Sequence, residues 1–459
     1  MRESRRQFLK TCSLMSFAGA ASPFALNLAA ISAASAQSAP GYRAIVCLFF
    51  YGGNDHTNTF IPYDQPSYDQ YTAARPSLAV PRDALLAANA TGAVASQGGR
   101  EFAFHPALAA LKPHWDAGRL AVVANVGPLV VPTTKAQYQS RSVPLPPKLF
   151  SHNDQQAVWQ AYRPIGEGAN IGWGGRIGDL LASQNTNALY TCISAGGNSV
   201  FLSGTNVLQY QVGSSGPSSI SSINGSIYGS SGTAASTAYR SLITGASPNL
   251  FESELAVVTN RSIVASQQLS SALPAASTLV PAIPANNSLA SQLSVVARII
   301  AARTTLGSGR QVFLVSIGGF DNHDFLLTQH AQQLARVGAA MNAFYSWLVQ
   351  LNVQNDVTIF TASDFGRTLT SNGDGSDHGW GAHHFVLGGS VVGREVYGTF
   401  SPTVFGSSVD IGQGNLLPSL SVDQYAATFG RFMGVSDANM PLVLPNIGNF
   451  SPRYVSFLP

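Results

Sequence analysis

Four continuous apolar runs constrain this chain more than any other feature: AIVCLFF at 44–50, LAVVA at 120–124, VFLVSI at 312–317 and VTIF at 357–360. Runs without polar alternation read as strands buried on both faces, the pattern of a parallel sheet held between helices. Between the last two, residues 325–351 place Leu327, Leu334, Val337, Met341, Phe344 and Leu348 at helical spacing. Strand, long amphipathic helix and strand make a crossover unit. The expected architecture is therefore α/β, a doubly wound and mostly parallel central sheet covered by helices on both faces. Further helices are expected at 252–270, 288–305 and 422–433. A chain that is 45% hydrophobic has ample material for the large core this demands.

The first 36 residues stand apart. Ser4-Arg5-Arg6-Gln7-Phe8-Leu9-Lys10 leads into an Ala/Ser-rich stretch ending at Ala34-Ser35-Ala36, which predicts a twin-arginine export signal with a small-residue cleavage site. The expected location is periplasmic or secreted, and the export machinery is a first partner. The serines, Pro23 and Asn27 argue against a stable membrane anchor there. This segment carries four basic and one acidic residue, so the remainder holds 21 of each sign. Such a balance, without basic runs, argues against nucleic acid and leaves small molecules, carbohydrate or another exported protein as partners. Only Cys47 and Cys192 survive cleavage; whether they pair is open, and no disulfide framework is expected to hold the fold. Residues 37–459 read as a single domain with a Ser/Gly-rich insertion or cap at about 203–287.

The chemistry is expected where the strands end. The first runs into Gly52-Gly53-Asn54-Asp55, the third into Gly318-Gly319-Phe320-Asp321-Asn322-His323, and the fourth into Ser363-Asp364-Phe365-Gly366-Arg367. Ligands of parallel α/β sheets bind beyond the carboxyl ends of strands, so Asp55, Asp321 and Asp364 are expected in one crevice. Three carboxylates without a cation would repel one another, and a divalent metal is the simplest remedy. His323 and, after the turn Asn372-Gly373-Asp374-Gly375, His378 supply nitrogen ligands, a mixture that suits zinc, manganese or iron better than calcium. His383 and His384 point to opposite sides if extended, so at most one is expected to reach the crevice. Arg367 could form a structural ion pair or clamp an anionic substrate. Asp374 is expected only to turn the chain, and His105, His114 and His330 to serve packing or surface roles. Ser151, in Phe150-Ser151-His152-Asn153-Asp154, reads either as an ordinary helix cap or as a nucleophile at a helix start. No Gly-x-Ser-x-Gly elbow is present.

Taken in order, Phe49-Phe50-Tyr51-Gly52-Gly53-Asn54-Asp55, Phe104-His105-Pro106-Ala107-Leu108, Ser151-His152, Gly172-Trp173, Gly318-Gly319-Phe320-Asp321, Ser363-Asp364-Phe365-Gly366-Arg367-Thr368 and Asp377-His378-Gly379-Trp380-Gly381 resemble the bacterial domain of unknown function 1501 family over nearly the whole chain. The resemblance implies twin-arginine export and an alkaline phosphatase-like fold of the sulfatase superfamily, with metal at the strand ends. It implies Asp55, Asp321, His323, Asp364 and His378 as metal ligands and Ser151 as nucleophile; beside it, the residues themselves suggest Arg367 for stabilising transition-state charge and His152, His383 and His384 as additional candidates. The implied activity is metal-dependent hydrolysis of phosphate or sulfate esters; the alternative is a non-catalytic secreted or envelope binding protein that retains the fold. Two departures stand out. Phe365 replaces the histidine of an Asp-His pair, and Ser142-Val143-Pro144-Leu145-Pro146 ends in Pro where the sulfatase modification pattern has Arg.

Overall fold

The structure, a computed structural model, describes residues 41–88, 97–161, 169–223 and 233–459. The expected export signal lies outside the described residues. Six strands form the heart of a ten-stranded sheet: β1 (Arg43–Phe50), β2 (Leu120–Gly127), β3 (Cys192–Ser194), β4 (Arg310–Ile317), β5 (Val357–Ser363) and β6 (Ala382–Gly388), in the spatial order β2-β6-β5-β1-β4-β3. β1 is central and parallel to both β5 and β4, while β6 runs antiparallel to β5 and β2. The sheet is thus mostly parallel. β6 carries AHHFVLG, whose paired histidines hide an otherwise apolar strand from a reading of hydropathy.

Alternation along β1 shows why its sequence is apolar throughout. Ala44, Val46, Leu48 and Phe50 enter one core, with Leu293 of α3 (Ser288–Ala301) and Val337 and Phe344 of α4 (Leu326–Gln350). Ile45, Cys47 and Phe49 enter the other. There they meet Trp159 of α1 (His152–Ala161), Ile177 of α2 (Trp173–Leu181) and Phe429 of α5 (Val422–Met433). Successive residues of a strand face opposite sides, so a strand between two helical layers must be apolar at every position. Cys47 and Cys192 are both buried free thiols.

The Ser/Gly-rich stretch is more regular than its composition suggests. Tyr210–Gly213 extends the sheet beside β3, and Thr233–Thr244 and Leu250–Ala272 are helices. Ala and Ser tolerate a helix without marking it by an apolar stripe, so little in 233–244 announces one. Among the described residues, no helix is long and apolar enough to cross a membrane.

Register positions the site. Phe50 of β1 lies opposite both Ser363 of β5 and Ile317 of β4, so three chain segments leave the sheet side by side. They are packed tightly at that point: Gly52 has φ of +117°, and a Cβ there would lie 2.3 Å from the backbone nitrogen of Asp321. Only glycine satisfies both constraints.

Candidate metal centre

Asp364 directly follows β5, Asp321 closes the turn after β4, and His152 opens α1. The hairpin Arg367–Ser371 with Ser376–His378 folds His378 back toward them. His152, Asp321 and His378 each offer a ligand atom, and these atoms lie within 4.8 Å of one another. Asp321 is the hub. Its Oδ2 is 3.3 Å from His152 Nε2, and its Oδ1 is 3.3 Å from His378 Nε2 and 3.1 Å from His323 Nε2. His323 Nε2 and His378 Nε2 are themselves 3.1 Å apart.

Each imidazole is held from behind through its other nitrogen. His152 Nδ1 donates to Asp364 Oδ2 at 2.7 Å, and His378 Nδ1 donates to the carbonyl of Phe150 at 2.7 Å. His323 is held differently: its Nδ1 accepts from Asn372 Nδ2 at 3.3 Å, with Asp377 Oδ1 also 3.3 Å from that nitrogen. In His152 and His378 a proton fixed on Nδ1 leaves the Nε2 lone pair directed inward, the arrangement by which carboxylates and carbonyls orient metal-binding histidines. His152 Nε2 is buried yet lacks a hydrogen-bond partner, although it stands close to Asp321. Asp364 is fully buried and is further fixed by Gln156 Nε2 at 2.9 Å and the backbone N–H of Gly52 at 3.2 Å.

The electrostatics favour a cation at this point. The hydrogen bond to Asp364, against the opposing effect of burial, raises the pKa of His152, with the charges of Asp364 and Asp321 adding to it. Burial alone would raise Asp321, but the hydrogen bond and charge of Arg367, aided by His152 and His323, bring its carboxyl below the usual range. His378 is lowered, mainly by burial. A field that holds a proton on His152 between two carboxylates would equally favour a divalent ion.

The structure therefore brings together Asp321, His323, His378, His152, Asp364 and Arg367, and leaves four other residues elsewhere. Asp55 does not join the cluster: Arg75 takes both its carboxylate oxygens, at 2.7 and 2.8 Å. Four residues of loop separate Asp55 from the end of β1, whereas Asp364 follows its strand at once. The Ser151 hydroxyl donates to Asp154 Oδ2 at 2.6 Å at the start of α1. His383 and His384 are both buried in the core, as alternation along β6 requires. His383 Nδ1 accepts from the Asn125 N–H at 2.9 Å, and His384 stacks on Tyr425. Arg367 is fully buried, bonded to Asp321 Oδ1 at 2.7 Å and to Gly52 and Ser376, so it orients Asp321 rather than presenting a free fork. Sequence reasoning missed Arg75, the Phe150 carbonyl and Gln156; only Gln156, four residues after His152 on one helix, left a readable signal.

Residues 42–438 match the family described as "Protein of unknown function (DUF1501)". No curated protein matches. Among solved structures, Ps i-CgsB in complex with k-i-k-neocarrahexaose is 13% identical with a TM-score of 0.36, covering 90% of this chain and 78% of that one. The lipoteichoic acid synthase LtaP from Listeria monocytogenes is 7% identical with a TM-score of 0.35, covering 88% and 74%. The sulfatase PsFucS1 from Pseudoalteromonas sp. is 10% identical with a TM-score of 0.31, covering 87% and 74%. Likeness at this level carries no argument about chemistry, which rests on the side chains above.

Proposed function

This chain belongs to the DUF1501 family, whose function is unknown, and from the geometry of its own side chains we propose that it is an exported, metal-dependent hydrolase of phosphate or sulfate esters. One observation carries the reading: His152, His378 and the Asp321 carboxylate bring ligand atoms within 4.8 Å of one another, both rings are anchored through Nδ1, and His323 Nε2 lies 3.1 Å from the same carboxylate. His152, His323, His378 and Asp321 would hold the ion, and this donor set fits zinc or manganese. A bound divalent ion supplies a Lewis acid and a water of lowered pKa. The chain's own residues do the rest. Asp364 and the Phe150 carbonyl hold the Nδ1 protons of His152 and His378 away from the centre, Asn372 steadies His323, and Arg367 fixes the Asp321 carboxylate. Ser151, whose hydroxyl donates to Asp154, is structural in this reading, so water rather than serine is the attacking group.

The test is hydrolysis of 4-nitrophenyl phosphate, bis(4-nitrophenyl) phosphate and 4-nitrophenyl sulfate by protein purified after native export. Turnover of at least one ester should fall roughly a hundredfold or more on chelation and in Asp321→Ala and His378→Ala, and survive in Ser151→Ala. Turnover indifferent to chelation and to both site variants would refute the proposal. A second reading, a secreted or envelope binding protein that keeps the fold, draws on a different observation: Leu242, Leu250, Phe251 and Leu255 are 79%, 78%, 84% and 65% exposed on two neighbouring helices. Apolar groups gathered on a surface mark contact sites. Metal bound with no turnover of any ester would favour that reading.

A further inference from the structure

We propose that this centre takes one divalent ion and not a pair, the place of a second ion's charge beside Asp55 being taken by the Arg75 guanidinium. The proposal rests on the reading of His152, Asp321 and His378 as metal ligands. Two-metal hydrolytic centres hold their ions about 3.5–4 Å apart, and a second zinc would need about three protein donors within reach, shared or its own. The parallel strands do provide a third carboxylate, Asp55, beyond the end of β1. Its side chain is only 1% exposed and that of Arg75 is fully buried, and the two are joined by parallel bonds of 2.7 and 2.8 Å. Arg75 also donates to Asn58 Oδ1 at 3.2 Å. A bidentate guanidinium satisfies both oxygens and cancels the charge that would attract a metal.

A group that cannot ligate lies between the histidines of the centre and the β1 turn that leads to Asp55. The Phe365 ring lies 4.9 Å from the ring of His152 and 4.7 Å from that of His378. On its other side it presses on the β1 turn, where a Cβ on Gly53 would come within 2.4 Å of the ring. Asp364 cannot build a second site alone. Its Oδ2 accepts from His152, Gln156 and Gly52, and Oδ1, buried without a hydrogen bond, is a single remaining donor. One oxygen falls short of the three or four protein ligands a bound zinc requires.

Elemental mass analysis of the full-length protein purified after native export, together with calorimetric titration of the chelated protein with zinc, reads the stoichiometry directly. One ion per chain is expected, in the wild type and in Asp55→Asn alike. Because Asp55→Asn leaves a buried arginine with a weaker partner and can fail to fold, the wild-type count is decisive by itself. Two ions per chain, or one ion that disappears in Asp55→Asn yet survives Asp321→Ala, overturns the proposal. No bound ion at all, and no zinc uptake, removes the metal reading together with it, whereas two ions would leave that reading standing.

Discussion

Asp55 and Asp321 both follow a strand and a glycine pair, yet they end in opposite circumstances, and the difference lies in their arginines. Asp55 is sealed with Arg75 on both oxygens, whereas the Asp321 side chain is 45% exposed and shares only Oδ1 with Arg367. Replacement of each should therefore separate stability from metal binding. Asp55→Ala leaves the Arg75 charge buried and unpaired and should cost about 3–5 kcal/mol in urea unfolding. Asp321→Ala should abolish metal uptake, because it removes the group that all three histidines face, and should cost less stability than Asp55→Ala, because buried Arg367 keeps the carbonyls of Gly52 and Ser376 as partners. Equal destabilisation by the two, with metal retained in both, would contradict this division. The histidines set a pH dependence of the same centre. His152 has a raised pKa, so an entering ion must displace its proton at low pH; affinity should strengthen by up to about tenfold per pH unit until His152 is neutral, then level off. Calorimetry across that range, following proton release with buffers of different ionisation enthalpy, checks the sign.

At the scale of elements, the flush ends of β4, β1 and β5 make the site, and Gly52 is where they touch. Gly52→Ala would both strain a backbone at φ +117° and drive a methyl into the Asp321 turn, 2.3 Å from its nitrogen. A loss of about 1–3 kcal/mol is expected, with weakened metal affinity because the N–H of Gly52 also holds Asp364. Unchanged unfolding and metal titrations would show that the turn does not couple the strands. The same elements explain what could be read from sequence. β1, β4 and β5 and helices α3, α4 and α5 were legible because apolar runs and helical spacing are local properties. Asp321, Asp364 and His378 were legible because strand ends are where parallel sheets bind ligands. The central place of His152 was not, since it depends on how α1 packs across the ends of β1 and β5. Nor was the Arg75 pairing, since helix Gln65–Ala74 delivers that arginine through tertiary contact alone. One helix within the Ser/Gly-rich stretch, Thr233–Thr244, escaped because its residues carry too little apolar contrast, whereas Leu250–Ala272 was legible at 252–270.

For the whole molecule, the buried histidines beyond the centre set the response to acid. His56, His330 and His384 are fully enclosed, and burial pushes their pKa values down to about 4, 3 and 3 from 6.5. Between those values and 6.5 the unfolded chain binds protons that the native chain refuses. Stability is therefore complete above about pH 6.5 and falls on acidification, by up to about 1.4 kcal/mol per pH unit for each of them. Urea midpoints between pH 7 and pH 5 should fall accordingly, and fall less in His384→Gln; midpoints independent of pH would refute the burial of neutral imidazoles. The central claim, that the chain folds to place one cation among His152, His323, His378 and Asp321, is tested most directly by anomalous scattering from crystals of the natively exported protein at the zinc and manganese edges. The account predicts a peak about 2.0–2.2 Å from His152 Nε2, His378 Nε2 and an Asp321 oxygen. A metal-free cluster in crystals of protein supplied with both metals, or a peak at Asp55 instead, would contradict it.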